Sequence, residues 1–125
     1  MHQQQSAVRA ARPHAGEVWL AEFPFGESNE CKTRPVIVLS TTAFGADCAY
    51  RTTRMNHLCQ GCVVLDEAES QAIGLDKAGV IDFHRRARID FTRFKKKLGE
   101  LGDPGEKLST DTWRRMAQAA FDGGM

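Results

Sequence analysis

The chain has 125 residues, 42% hydrophobic and 26% charged, the size and balance of one globular domain whose core needs neither disulfides nor a metal to fold. Its apolar runs, such as Val36–Leu39, are far short of the ~20 residues of a membrane span, and Met1–Ser6 lacks the basic start and apolar run of a secretory leader. A cytoplasmic setting with free thiols is therefore expected, while 17 basic against 16 acidic residues, a net charge of +1, says nothing of partners by itself.

Residues 1–14, Gln-rich and then Arg/Ala-rich, carry no apolar periodicity and read as a disordered arm, leaving residues 15–125 as a single domain. Glu17 to Phe25, with Val18, Trp19, Leu20, Phe23 and Phe25, suits a first strand ended by Pro24. A polar loop from Gly26 to Thr33 leads to Pro35–Ser40, a β-branched run typical of a buried strand, so the two strands form a wide hairpin. After a loop at Gly45–Asp47, Cys48–Arg54 and Cys62–Leu65 are strand candidates joined by an irregular link at Asn56–Gly61. Two further β-like runs, Val80–Phe83 and Arg88–Phe91, follow the turn residues Gly74, Asp76 and Gly79. Trp113, Met116, Ala117, Ala120 and Phe121 then recur at helical spacing, with Ser109 or Thr110 placed to cap and Gly123-Gly124 to stop, which predicts one amphipathic helix over about 109–121. Short strands followed by a terminal helix imply a mainly β, α+β domain: a small barrel with a C-terminal helix. Trp19 and Trp113 fall on faces expected to be buried and are read as core.

The charge is unevenly spread. From His84 to Lys97 there are seven basic residues (Arg85, Arg86, Arg88, Arg93, Lys95, Lys96, Lys97) against Asp90 alone, so this stretch carries +6 and the remainder −5. With Phe83, Phe91 and Phe94 interleaved, it suits phosphates and stacked bases. Equally, it suits a solvated strand edge guarded by lysines.

Three blocks carry a resemblance. Gly16-Glu17-Val18-Trp19-Leu20-Ala21-Glu22-Phe23, then Lys32-Thr33-Arg34-Pro35-Val36-Ile37-Val38-Leu39-Ser40, then Gly74-Leu75-Asp76-Lys77 resemble the signature of the MazF/PemK (Kid) toxins of bacterial toxin–antitoxin pairs, over residues 16 to about 102. The resemblance implies an SH3-like barrel of the CcdB/MazF/PemK type, a homodimer and a cognate antitoxin whose acidic tail occupies the RNA groove. It also implies a sequence-specific endoribonuclease that inhibits translation, cutting single-stranded RNA without metal or other cofactor to leave 2′,3′-cyclic phosphate and 5′-hydroxyl ends.

Metal-free cleavage of RNA requires in-line attack by the 2′-hydroxyl, proton transfers, and a fixed cation for the phosphorane charge. Arg34, between a polar loop and a buried strand, suits the cation, and the resemblance makes it catalytic; the plainer alternative is a surface pair with Glu27 or Glu30. The resemblance places the catalytic hydroxyl at Thr52, with Thr53 the other choice. The remaining expected site-lining or RNA-binding residues are Glu30, Lys32, Thr33, Arg54, His84, Arg85, Arg86 and Arg88, with the Glu27–Thr33 loop over the substrate. His84 attracts notice because imidazole titrates near neutrality. Ala87 stands where the family usually has arginine.

Cys59-Gln60-Gly61-Cys62 has the spacing of half a zinc knuckle, and His57, Cys48 and Cys31 could complete four ligands. Only one such pair exists, so free thiols in a loop and no metal are expected. Two rival functions remain: a CcdB-like barrel that poisons gyrase by binding it, against which the Lys-Thr-Arg-Pro block speaks, and an inactive barrel that binds RNA or protein.

Overall fold

A computed structural model describes residues 12–24, 31–56 and 58–123; the expected arm up to residue 11, Glu30 and most of the expected substrate loop lie outside them. The strands are β1 (Glu17–Pro24), β2 (Cys31–Thr41), β3 (Gly45–Thr52), β4 (Cys62–Leu65), β5 (Gly79–Asp90) and β6 (Phe94–Glu100), with helices α1 (Glu67–Ala72) and α2 (Thr110–Asp122). All strand pairs are antiparallel, in the order β4-β5-β3-β2-β1-β6. The mainly β architecture with a C-terminal helix is as expected, but among the described residues hydrogen bonds do not close the sheet: β4 and β6 are its edges.

Period-two alternation loads both faces. Val18, Ile37, Ala49, Ile81 and Phe83 face one apolar layer with Met116 and Ala119 of α2, while Trp19, Ala21, Phe23, Val36, Val38, Cys48 and Tyr50 face the other. Such double burial explains the near-continuous apolar runs in β2 and β3.

Several boundaries differ from the sequence expectation. β2 begins at Cys31, because Cys31–Arg34 pair with Pro24–Ala21 of β1. β3 begins at Gly45, opposite Asp90, and stops at Thr52. The two expected runs at 80–83 and 88–91 are one strand, broken in pattern by a bulge: Tyr50 pairs with Asp82 and Ala49 with Arg86, leaving residues 83–85 extra. β6 carries Lys95, Lys96 and Lys97 along a sheet edge, as the guarded-edge reading anticipated, whereas Arg85, Arg86 and Arg88 of the same basic stretch lie on the inner strand β5.

The unpredicted α1 starts with a capping box: Asp66 accepts from the Glu69 amide at 2.7 Å and Glu69 Oε1 from the Asp66 amide at 3.0 Å. Glu69 Oε2 also accepts from the buried Thr112 hydroxyl at 2.6 Å, tying α1 to the start of α2. Ser109 caps α2 as expected, but its buried face is Thr112, Met116 and Ala119, with Trp113 and Ala120 at the margin. Phe121 is 73% exposed, so the face is turned by about one residue from the expected stripe. Arg12 to His14, placed in the arm by the sequence, lie against the fold: Pro13 is buried, Arg12 Cζ sits 5.1 Å from the Phe91 ring centre, and the His14 amide donates to Glu17 at 2.7 Å.

Gly74 of the Gly-Leu-Asp-Lys block has φ +96°, and a Cβ there would fall on the Leu98 carbonyl oxygen. Only glycine fits this crossing of the turn beneath β6.

Candidate functional site

The β2–β3 ladder pairs Val36 with Tyr50. Two residues beyond that pair on each strand, alternation puts Arg34 and Thr52 on the sheet face of Val36 and Tyr50. There the strand ends open into a cleft of about 590 Å³ lined by Lys32, Thr33, Arg34, Pro35, Tyr50, Arg51, Thr52, Thr53, Arg54 and Arg85. Five of these side chains are cationic and none is a carboxylate, so the cleft is built for an anion.

Each side chain is held by its element. Arg34 is half-buried, and its guanidinium donates to the Thr33 carbonyl at 2.9 Å, which leaves the rest of the fork for a ligand. Among the described residues no carboxylate pairs with it. Thr52 is 8% exposed and its Oγ1 accepts from the Arg54 amide at 3.1 Å; with that lone pair occupied, the hydroxyl hydrogen is left to donate. Thr53 is exposed. Arg85 comes from the β5 bulge, its guanidinium carbon 5.4 Å from the centre of the Tyr50 ring. Asp82, 4% exposed, holds the bulge by accepting from the amides of His84 at 2.9 Å and Arg85 at 3.1 Å.

The sequence reading missed Arg51. It is 4% exposed and donates to the Lys77 carbonyl. Burial pushes its pKa down, opposed by the nearby Asp76 charge, yet a guanidinium remains protonated at neutral pH. Gly79 makes its room: a Cβ there would lie 2.7 Å from Arg51 Cζ. The available signal was an arginine placed directly after the strand residues Cys48-Ala49-Tyr50 and directly before Thr52. Together with Pro35 and Thr53, Arg51 also walls a second cleft of about 560 Å³ that runs on to Lys77, Lys96 and Lys97. Lys97 is engaged by Glu17 at 3.1 Å and Glu100 at 3.4 Å.

Of the expected residues, Lys32, Thr33, Arg34, Thr52, Thr53, Arg54 and Arg85 share the first cleft, and Glu30 lies outside the described residues. His84, Arg86 and Arg88 do not line it. His84 is exposed, Arg86 reaches the Gly123 carbonyl at 3.4 Å, and Arg88 borders a shallow depression with Thr42, Phe44 and Asp90. Strand alternation and the bulge send these neighbouring side chains in different directions. Ala87, opposite Cys48, packs on the Trp19–Tyr50 layer.

Free thiols were expected at all four cysteines, and two depart from this. Cys59 and Cys62 form a disulfide with Cα atoms 5.1 Å apart, because a tight turn, with the Cys62 amide donating to the Cys59 carbonyl at 3.1 Å, brings them into bridging range. Their sulfurs and an Asp82 oxygen lie within 4.8 Å of one another. Cys31 and Cys48 are free, and burial raises the Cys48 thiol to about 12.

Residues 14–116 match the family model of the PemK-like, MazF-like toxins of type II toxin–antitoxin systems. No curated protein sequence matches the chain. Among solved structures, the Mycobacterium tuberculosis toxin MazF-mt6 superposes with a TM-score of 0.62 at 17% identity, covering 86% of this chain and 94% of that one. MazF from Deinococcus radiodurans gives 0.60 at 21% identity, covering 89% and 94%. A mycobacterial endoribonuclease solved in complex with its cognate antitoxin gives 0.61 at 14% identity, covering 89% and 93%.

Proposed function

We propose that this chain, which belongs to the PemK-like, MazF-like toxins of type II toxin–antitoxin systems, is a metal-independent, sequence-specific endoribonuclease acting on single-stranded RNA in the cytoplasm. The observation that carries this reading is the cleft itself: Arg34 of β2 and Thr52 of β3, ringed by Lys32, Arg51, Arg54 and Arg85, with no carboxylate among the described lining residues.

In the proposed reaction the RNA backbone lies along the cations, with affinity falling as salt rises. The 2′-oxygen forms a bond to phosphorus as the P–O5′ bond breaks, leaving a 2′,3′-cyclic phosphate and a 5′-hydroxyl. The Arg34 guanidinium stabilises the extra charge on the phosphorane oxygens, and the Thr52 hydroxyl donates to a non-bridging oxygen. The proton lost by the 2′-hydroxyl and the one gained by the 5′-oxygen exchange with water at the open mouth. The mycobacterial relative solved with its antitoxin supports a small antitoxin as inhibitor, and a homodimer is the assembly proposed. Both the antitoxin's acidic segment and RNA suit the same basic cleft.

Arg34→Ala is the test. Loss of one preorganised donor to the developing charge lowers turnover by about 10²- to 10³-fold, while melting temperature is kept and RNA binding falls only as one phosphate contact is lost. Cleavage within threefold of the unaltered protein refutes the assignment.

A further inference from the structure

The disulfide lies against the segment that presents Arg85. Cys62 is the β4 partner of Asp82, and the Gly61 carbonyl accepts from the Phe83 amide at 2.8 Å. Gly61 is packed so closely that a Cβ there would lie 3.2 Å from the His84 nitrogen. Cys59 Sγ sits 3.5 Å from the same Asp82 Oδ1 that accepts from the His84 and Arg85 amides. The turn at 59–62 and the bulge at 83–85 are thus one packed unit, joined through a buried carboxylate.

We propose that Cys59 and Cys62 are a redox-modification site whose disulfide fixes the Asp82-held bulge, and that reduction loosens the presentation of Arg85 to the cleft. A disulfide sulfur carries no hydrogen, so the Cys59–Asp82 contact is a hydrogen bond only in the dithiol. In the disulfide form Asp82 Oδ1 serves the two bulge amides; in the dithiol the Cys59 S–H competes for the same oxygen, and the turn loses its covalent closure. The effect on RNA cleavage rests on the function proposed above.

The partner is a small-molecule disulfide of the glutathione class. Cys59 is exposed and Cys62 half-buried, so the Cys59 thiolate attacks the small disulfide, forms a mixed disulfide and expels one thiolate. The Cys62 thiolate then attacks Cys59 Sγ, forms the Cys59–Cys62 bond and expels the second thiolate. Two protein thiols lose two electrons and two protons, and one glutathione disulfide becomes two glutathiones. In a cytoplasmic protein such a bond is typically transient and redox-sensing. A zinc site fits less well: among the described residues only three ligand atoms gather, whereas a closed zinc site takes four, and Asp82 Oδ1 already holds two amides.

The full chain, equilibrated in oxidised or reduced glutathione, is trapped by alkylation, weighed for thiol number, and compared by ¹H–¹⁵N spectra and RNA cleavage. The expected result is a two-electron titration confined to Cys59 and Cys62, with the His84 and Arg85 amide signals moving between states. Cleavage slows about fivefold on reduction, the lower end of common coupling between sites, and a Cys59→Ser/Cys62→Ser protein behaves as the reduced form in either buffer. Unmoved His84 and Arg85 signals, a pair that stays reduced in oxidised glutathione, or stoichiometric zinc on the reduced chain overturns the proposal. Moving signals with no cleavage in either state uphold the redox site and refute the ribonuclease reading.

Discussion

Thr52→Val keeps side-chain volume and β-branching and removes one hydroxyl. The strand tolerates it: Thr52 is 8% exposed, and the bond it forfeits, from the Arg54 amide at 3.1 Å, belongs to an exposed residue whose N–H can turn to water. The expected stability cost is about 1 kcal/mol or less. In catalysis the hydroxyl would face a charged phosphate oxygen, where a hydrogen bond contributes about 1.5–3 kcal/mol, so single-turnover cleavage should slow by about 10- to 150-fold. Thr53→Val, at an exposed position, should change the rate less than about twofold and leave the melting temperature within the scatter of surface substitutions. The assay is single-turnover cleavage of an end-labelled RNA at saturating protein, with thermal melts of each variant. A Thr52→Val rate within threefold of the unaltered protein, or a collapse with Thr53→Val instead, refutes the argument from the bonded lone pair.

Three further outcomes follow from the fold. Glu69→Ala removes the reciprocal half of the α1 capping box and the acceptor of the buried Thr112 hydroxyl, whose oxygen still accepts from Ser109 and Arg115, so stability falls by about 1–3 kcal/mol, read by urea denaturation. Gly74→Ala needs a positive φ and places a methyl on the Leu98 carbonyl, costing at least about 2 kcal/mol and visible as a lower melting temperature. Burial pushes the Glu17 carboxyl up, but hydrogen bonds from the Trp19 indole, the His14 amide and Lys97 outweigh it and hold Glu17 below its ordinary 4.5. Its folded value being depressed, its contribution is present above 4.5 and lost as pH falls through the folded value. Glu17→Gln should therefore flatten the acid limb of melting temperature against pH.

The sequence made legible what depends on neighbours along the chain. Apolar and β-branched runs pointed to β1, β2 and β4, and the helical spacing with Ser109 to α2, though a stripe of apolar residues could not say that Thr112, through Glu69, faces inward. What it hid depends on distant partners. β5 looked like two strands because three bulge residues break its alternation, and that bulge separates Arg85 from Arg86 and Arg88 despite their adjacency. β6 was open to two readings, a phosphate-binding stretch or a guarded strand edge, because an edge strand tolerates consecutive lysines. Arg51 went unremarked, since its burial depends on Gly79 and the Lys77 carbonyl, residues far along the chain. The cysteine pair looked like loop thiols, because four residues alone do not reveal the turn that closes them.

The most direct measurement is incubation of the purified chain with a long unstructured RNA in the presence of EDTA, with cut sites mapped and both new ends identified. The account predicts cuts at a recurring short motif that carry 2′,3′-cyclic phosphate and 5′-hydroxyl termini. Intact RNA bound to folded protein, or cleavage that EDTA abolishes, would contradict it.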